Sequence, residues 1–360
     1  MNKPQFVSRT LRVGRCAAVI YAMIVAGSGR IPARARADTV AQQSQEAQQP
    51  QQQEQQTVHR ELAPEARAFM SQLAVLPNGI VYQVAPSVVD PEIKRFDKSN
   101  YALFDHDVKR DARLLVFFPG TGGEPKSSWP FLETGAKAGY RVIGLMYDNG
   151  VSVPTVCGPQ ADPTCSDRFR EKRIFGDGAS SDIDDLPGES VVNRLVKFLQ
   201  YLDAQHPGEG WGGYLVNGRP NWARVVVSGH SQGGGVAAYI AKKQKVARVV
   251  VLSGAWDRVE ATKQWAPWVT SASATPLDRW YAAYHQKESR ADAMTSAYAV
   301  IGIPADHIRM LTLEPNPENK IPAGADAYHV SMSATGVTPL DANGQPAYAS
   351  DWAFLLGSGR

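Results

Sequence analysis

A segment beyond the middle of the chain places a serine between glycines at the end of an apolar run. The β-branched run at 224–227 leads into Gly-His-Ser-Gln-Gly at 229–233, and 236–241 continues with a helix-compatible composition. A serine on a tight strand-to-helix turn presents its hydroxyl outward, and glycines two residues away on either side let neighbouring backbone approach. The pattern predicts a nucleophile elbow with Ser231 as the nucleophile.

A glycine-rich loop, Pro-Gly-Thr-Gly-Gly at 119–123, follows the apolar run at 114–118. Glycines allow backbone N–H groups to approach a developing oxyanion without an intervening side chain. We therefore expect oxyanion donors from Thr121 and Gly122, together with the N–H of Gln232, which follows the serine. A phosphate-binding loop is the weaker interpretation, because no Lys-Ser or Lys-Thr pair follows the glycines.

One of the seven histidines lies beyond the last predicted core strand, at 308–313, and it is His329. In the order serine, acid, histidine that accompanies such an elbow, the base follows the last strand. His329 is therefore the predicted general base, with an ordinary surface-loop histidine as the alternative. His230, the neighbour of the serine, is expected to face away from it.

Two carboxylates compete for the third position, that of the acid which orients the histidine. Glu288 follows the predicted strand at 278–284, where such an acid is usual. Asp257 follows the preceding predicted strand, at 248–252, and aspartate is the commoner residue in this role. We favour Glu288 and keep Asp257 as the alternative, and either could be an ordinary solvated carboxylate.

Strand-like and helix-like segments alternate along most of the chain, as expected of an α/β protein. The apolar runs predicted to be strands lie at 79–84, 114–118, 141–147, 224–227, 248–252, 278–284 and 308–313. Apolar residues recur at three- and four-residue spacing over 189–202, which predicts a helix. The fold class predicted is α/β, a mostly parallel central sheet with helices on both faces and the chemistry at the carboxyl ends of its strands.

Two stretches beside these strands could shape a binding site. The first is a predicted long loop insertion at about 148–181, and loops of this length are usually functional or disordered. The second carries Trp256, Trp265 and Trp268, which could line a pocket, although core or cap packing is the commoner role for tryptophan.

The amino-terminal part of the chain differs in composition from the rest. Residues 1–37 combine basic residues, an eleven-residue apolar run at 16–26 and a small-residue Ala-Arg-Ala site, which predicts a signal peptide. That run is too short for a membrane-spanning helix, so no stable membrane anchor is expected. Residues 38–60 are Gln-rich and predict a disordered linker, and 61–360 form the predicted catalytic domain.

Removal of the predicted leader changes the net charge and the cysteine content of the protein. The formal charge of the whole chain is +3, but 1–37 contain seven basic and no acidic residues, so the remainder has 31 basic and 35 acidic residues and a net charge of −4. This balance argues against nucleic-acid binding. Outside the leader, Cys157 and Cys165 form an even pair, which predicts a disulfide and an exported, periplasmic or extracellular protein. No second cluster completes a metal site, and no cofactor is expected.

The motifs at 119–123 and 229–235, followed by His329, resemble those of the α/β-hydrolase superfamily, especially secreted bacterial lipases and esterases. The resemblance extends in element order over about 75–360. It implies cofactor-free hydrolysis of carboxylic esters or related acyl bonds, with a small-molecule or polymeric ester as substrate. The alternatives are a serine peptidase or polyester depolymerase with the same triad, and an exported binding protein on a hydrolase scaffold.

Overall fold

The computed structural model describes residues 79–178, 182–316, 321 and 324–359. Its main sheet has eight strands: β1 (Gly79–Val84), β2 (Asn100–Asp105), β3 (Leu114–Phe118), β4 (Arg141–Gly144), β5 (Val225–His230), β6 (Arg248–Leu252), β7 (Trp280–His285) and β8 (Ile308–Leu311). Their spatial order is β1-β2-β4-β3-β5-β6-β7-β8. β2 is antiparallel to both of its neighbours, and every other neighbouring pair is parallel.

Ten α-helical segments are present among the described residues. They are α1 (Pro86–Val89), α2 (Trp129–Lys137), α3 (Val153–Cys157), α4 (Cys165–Phe175), α5 (Val191–Gln205), α6 (Gln232–Lys243), α7 (Pro267–Thr270), α8 (Ala291–Ile301), α9 (Ala327–Val330) and α10 (Ala349–Leu356). A small antiparallel hairpin pairs Leu215–Val216 with Arg219–Pro220.

The central strand β3 is buried along its whole length because helices cover both faces of the sheet. Its residues Leu114, Val116 and Phe118 belong to one apolar cluster with buried side chains of α5 and α6. On the opposite face, Phe117 packs against Phe131 of α2, whose ring meets Trp352 of α10. A strand buried on both faces has no polar alternation, which explains the continuous apolar run in its sequence.

This strand order and the single reversed strand β2 are those of the α/β-hydrolase fold, so the predicted fold class is confirmed. The prediction omitted β2, although five of its six residues are buried. Several boundaries also differ, since β4 ends at Gly144 and β8 at Leu311.

The stretch 148–181 is not a long loop, because α3 and α4 form within it. α4 has the polar sequence Cys-Ser-Asp-Arg-Phe-Arg-Glu-Lys-Arg-Ile-Phe, which shows little apolar periodicity. Its inward side includes two buried arginines, Arg170 and Arg173, which form ion pairs with Asp257 and Asp185. The helix therefore buries paired charges where a hydropathy pattern expects apolar residues.

The predicted leader at 1–37, the linker at 38–60 and residues 61–78 lie outside the described residues. Within the described ranges, none of the helices combines the length and apolarity needed to cross a bilayer.

The predicted disulfide between Cys157 and Cys165 is confirmed. It joins the end of α3 to the start of α4, and both half-cystines are buried. A covalent bond across this short separation holds the two helices together where their own apolar surface is small.

We expect the double variant Cys157→Ala, Cys165→Ala to lower the free energy of unfolding by about 2–3 kcal/mol, the loop-closure entropy of so short a ring. Urea unfolding of the variant and the parent protein measures the difference. Unfolding in the presence of dithiothreitol is the control, because reduction should destabilise the parent protein and leave the double variant, which lacks this disulfide, unchanged. Equal unfolding midpoints of the double variant and the parent would contradict a stabilising crosslink.

Candidate active site

Four segments that the sequence marks for chemistry follow the carboxyl ends of parallel strands. The glycine-rich loop follows β3, Ser231 follows β5, and Glu288 follows β7. His329 lies in α9, after β8. Because these strands are parallel, their carboxyl ends meet at one edge of the sheet, as predicted.

Ser231 occupies a strained backbone conformation, with φ 56° and ψ −119°, between β5 and α6. Its N–H donates to the carbonyl of Leu252, and its carbonyl accepts from Gly235. A Cβ on Gly229 would lie 2.3 Å from Gly233, and one on Gly233 would lie 2.0 Å from the Phe118 carbonyl. Only glycine fits at these two positions, so the elbow predicted from the motif is formed by backbone contacts.

His329 Nδ1 lies 2.6 Å from Glu288 Oε2. A carboxylate only accepts, so Nδ1 carries the proton and Nε2 is left as an acceptor. Glu288 Oε1 accepts from Ser253 Oγ at 2.5 Å and from the His285 N–H at 2.6 Å. The carboxylate is almost completely buried, and these three hydrogen bonds offset its lost hydration.

Asp257, the alternative acid, contacts different residues. Its carboxylate accepts from Arg170 Nη2 at 2.8 Å, from Arg170 Nε, and from Trp268 Nε1 at 3.0 Å. The structure thus brings Glu288, rather than Asp257, to the histidine.

The sequence predicted that His230 faces away from Ser231, but it did not predict that the His230 ring contacts His329. The His230 Nε2–H donates to the His329 carbonyl at 2.9 Å, and the centroids of the two rings are 4.6 Å apart. The residue beside the serine therefore holds the backbone of the candidate base. Its imidazole stays neutral, because burial and the neighbouring His329 lower the pKa of His230 to about 3.

Asp326 fixes the loop that carries His329. It caps α9 by accepting from the N–H groups of Tyr328 and His329, and its other oxygen accepts from the Ser289 N–H at 2.7 Å. Burial alone would raise the pKa of Asp326, but hydrogen bonds from Ser289 and His329 outweigh it and keep the pKa low. One carboxylate thereby ties the histidine loop to the residue after Glu288.

The glycine-rich loop lies against the serine, since a Cβ on Gly120 would be 3.2 Å from that of Ser231. Gly122 was predicted as an oxyanion donor, but its N–H already donates to the Asn149 carbonyl at 3.1 Å. Asn149 Nδ2 in turn donates to the carbonyls of Gly120 and Gly123. The prediction for Gly122 is therefore wrong, because this loop closes on Asn149.

Two backbone N–H groups remain at the predicted oxyanion position. Within the described part of the chain, neither Thr121 N–H nor Gln232 N–H donates to another group. The side chains of the same residues join across the site, with Thr121 Oγ donating to Gln232 Oε1 at 2.7 Å. This bond holds the loop after β3 to the first turn of α6.

A cavity of about 110 Å³ opens beside Ser231 and Gln232. Of the three tryptophans considered from the sequence, Trp256 lines this cavity and meets the His329 ring edge-on at 6.1 Å. Trp268 is buried against Tyr239 and Arg170, and Trp265 lies near Arg258. Over the described ranges, no group of three or more His, Cys, Asp and Glu side chains is arranged to hold a metal ion.

Sequence reasoning missed Ser253, Asp326 and Asn149, which hold the site together. Ser253 and Asn149 follow predicted strands directly or closely, so position at a strand end was the available signal. Asp326 lies three residues before His329 as a helix N-cap. Once His329 is identified as the candidate base, an aspartate three residues before it indicates a helix N-cap.

The sequence matches no protein-family model and none of the curated proteins. Among solved structures, it is similar to esterase B from Lactobacillus rhamnosis, at 12% identity over 78% of this chain and 85% of that chain, with a TM-score of 0.39. A mutant of esterase E40 has 14% identity over 81% and 89%, also with a TM-score of 0.39. A fluorophosphonate-binding serine hydrolase from Staphylococcus aureus has 12% identity over 65% and 89%, with a TM-score of 0.34. Since these TM-scores are below 0.5, the fold assignment rests on the sheet topology.

The low pKa of His230 has a consequence for stability. A histidine in the unfolded chain takes up a proton below about pH 6.5, whereas folded His230 does not until about pH 3. The contribution of His230 to the free energy of unfolding is complete above pH 6.5. It falls with the pH below that value, by up to about 1.4 kcal/mol per pH unit. We expect His230→Gln to remove this dependence in urea unfolding at pH 6.5, 5.5 and 4.5.

The matched control is His106→Gln, since the His106 side chain is 72% exposed. It should follow the parent pH profile. Parallel profiles for His230→Gln and the parent protein would contradict a His230 that stays neutral in the folded protein.

Proposed function

We propose that this protein is a serine hydrolase that cleaves carboxylic esters, or related acyl bonds, through an acyl-enzyme intermediate. The observation that carries the proposal is the strained Ser231 elbow, whose preceding residue His230 donates to the carbonyl of His329, a histidine whose Nδ1 is bound by the buried carboxylate of Glu288. A nucleophile, a base and an orienting acid in this relation are what acyl transfer requires.

The first half of the reaction forms the acyl-enzyme. His329 Nε2 takes the proton of Ser231 Oγ as that oxygen attacks the ester carbonyl carbon. The carbonyl oxygen becomes an oxyanion, which accepts hydrogen bonds from the N–H groups of Thr121 and Gln232. The carbon–oxygen bond to the alcohol then breaks, and His329 returns the proton to the departing alkoxide.

Water completes the cycle by the same steps. His329 takes a proton from water, whose oxygen attacks the acyl carbon, and the ester bond to Ser231 breaks. The proton returns to Ser231, so one ester and one water give one carboxylic acid and one alcohol. Glu288 stabilises the imidazolium that forms in both halves, and its bonds to Ser253 and His285 hold it in place.

We also infer that the protein is exported. The disulfide between Cys157 and Cys165 supports this, because such bonds persist in oxidising compartments. The predicted leader at 1–37 agrees with the same destination.

A fluorophosphonate probe tests the activated serine directly. We expect one adduct, at Ser231, located by mass spectrometry, and none in Ser231→Ala or His329→Ala, because phosphonylation needs both the nucleophile and its base. Hydrolysis of p-nitrophenyl acetate without cleavage of peptides favours an esterase, whereas peptide cleavage without ester cleavage favours a serine peptidase. A folded protein that takes up no probe would favour the binding-protein alternative.

The identity of the acid has its own test. We expect Glu288→Gln to lower kcat for p-nitrophenyl acetate by a factor on the order of 10³–10⁴, because the amide cannot stabilise the imidazolium or fix its tautomer. Glu189→Gln is the matched control, a buried carboxylate that accepts from the N–H groups of Lys94 and Arg95 away from the site. A kcat for Glu288→Gln within a few-fold of the parent value would remove Glu288 from the mechanism.

A further inference from the structure

The cavity beside the serine lies on the acyl side of the proposed reaction. Its lining includes Ser231 and the proposed oxyanion residues Thr121 and Gln232, but His329 does not line it. Because the histidine must protonate the leaving alcohol, the alcohol has to lie on the His329 side of the serine. The cavity is therefore left for the acyl chain.

The cavity is small. Its volume of about 110 Å³ is below the volume of about 150 Å³ that accommodates a six-carbon ring. An acyl chain that fits has on the order of four non-hydrogen atoms beyond the carbonyl carbon. A long fatty-acyl chain would have to leave the cavity.

The wall of the cavity is partly ionic. Arg170 and Asp257 both line it, although their exposed fractions are only 3% and 6%. Arg170 donates through Nε and Nη2 to Asp257, and over the described residues its Nη1 makes no hydrogen bond. Asp257 Oδ1 accepts one hydrogen bond, from Arg170, and a carboxylate oxygen can accept a second.

A purely alkyl acyl chain fits this wall poorly. It would offer no hydrogen-bond partner to the polar atoms of Arg170 and Asp257 in the wall, and an unsatisfied buried polar group destabilises the complex. A carboxylate on the chain would meet the guanidinium but also the negative Asp257. A hydroxyl group can accept from Arg170 and donate to Asp257 at the same time.

We propose that the acyl pocket selects a short acyl chain bearing a hydroxyl group, which accepts from Arg170 Nη1 and donates to Asp257 Oδ1. This inference rests on the proposed function, since it assigns the acyl substrate of the same serine. Arg170, in the insertion, and Asp257, in the loop after β6, then determine specificity for the acyl chain.

Two nearly isosteric esters test the selection in the unaltered protein. Ethyl 3-hydroxybutyrate and ethyl 3-methylbutyrate differ by a hydroxyl in place of a methyl group, and a pH-stat measures the acid released from each. We expect kcat/KM to be higher for the hydroxy ester by about tenfold or more, the usual discrimination of a site that binds a substrate hydroxyl. Monoethyl succinate should be a poorer substrate than the hydroxy ester because of Asp257.

A paired variant then assigns the selection to the two residues. Arg170→Met with Asp257→Asn removes both charges together and keeps an acceptor for Trp268 Nε1, which avoids an unpaired buried charge. We expect the preference for the hydroxy ester to fall at least fivefold. The matched control, Arg173→Met with Asp185→Asn, removes the buried ion pair between the neighbouring arginine of α4 and the segment before α5. Neither residue lines the cavity, so the preference should be kept.

The outcomes separate the two proposals. Turnover of both esters at similar rates, or faster turnover of ethyl 3-methylbutyrate, overturns the acyl selection. The proposed serine hydrolase activity would stand. Equal loss of preference in the two paired variants also overturns it, because the effect would then come from general packing of α4. Failure of the parent protein both to cleave any ester and to take up the fluorophosphonate probe overturns the proposed function, and the selection with it. If the paired variant does not fold, the comparison of the two esters in the parent protein still tests the acyl selection.

Discussion

The close approach of backbone at the elbow is the constraint on which the rest of the site depends. Gly229 and Gly233 lie so near neighbouring main chain that neither position has room for a Cβ. The turn this permits holds Ser231 at φ 56°, a conformation that side-chain-bearing residues rarely adopt. The bond from the Ser231 N–H to Leu252 ties the strained turn to the neighbouring strand, so the sheet itself maintains the serine's orientation.

Two carboxylates, the buried Glu288 and the partly exposed Asp326, connect the elements that the sheet brings to this edge. Glu288 joins the ends of β6 and β7 to the histidine through Ser253, His285 and His329. Asp326 adds a second link between the histidine loop and Ser289. Because each buried oxygen must be paired to offset lost hydration, the hydrogen bonds determine the positions of these loops closely.

The insertion at 148–181 supplies what the sheet does not. α3 and α4 place Val153 and Arg170 beside the serine, and the disulfide joins the two helices. Hydropathy reading missed α4 because its inward side carries arginines rather than apolar residues. Their charges are acceptable there only because Asp257, distant in sequence, pairs with Arg170, and Asp185, nearer in sequence, pairs with Arg173.

The sequence by itself determined the α/β class, most of the strands, the elbow at Ser231 and the pairing of Cys157 with Cys165, because each depends on local spacing or on cysteine count. It left Glu288 and Asp257 as rivals, it misjudged Gly122, and it missed the contact of His230 with His329. These outcomes depend on which groups form hydrogen bonds across the sheet edge. His329 binds Glu288, Arg170 donates to Asp257, and the Gly122 N–H donates to the Asn149 carbonyl. Only the tertiary structure decides such contacts, because hydrogen bonds between residues far apart in the chain leave no periodicity in sequence.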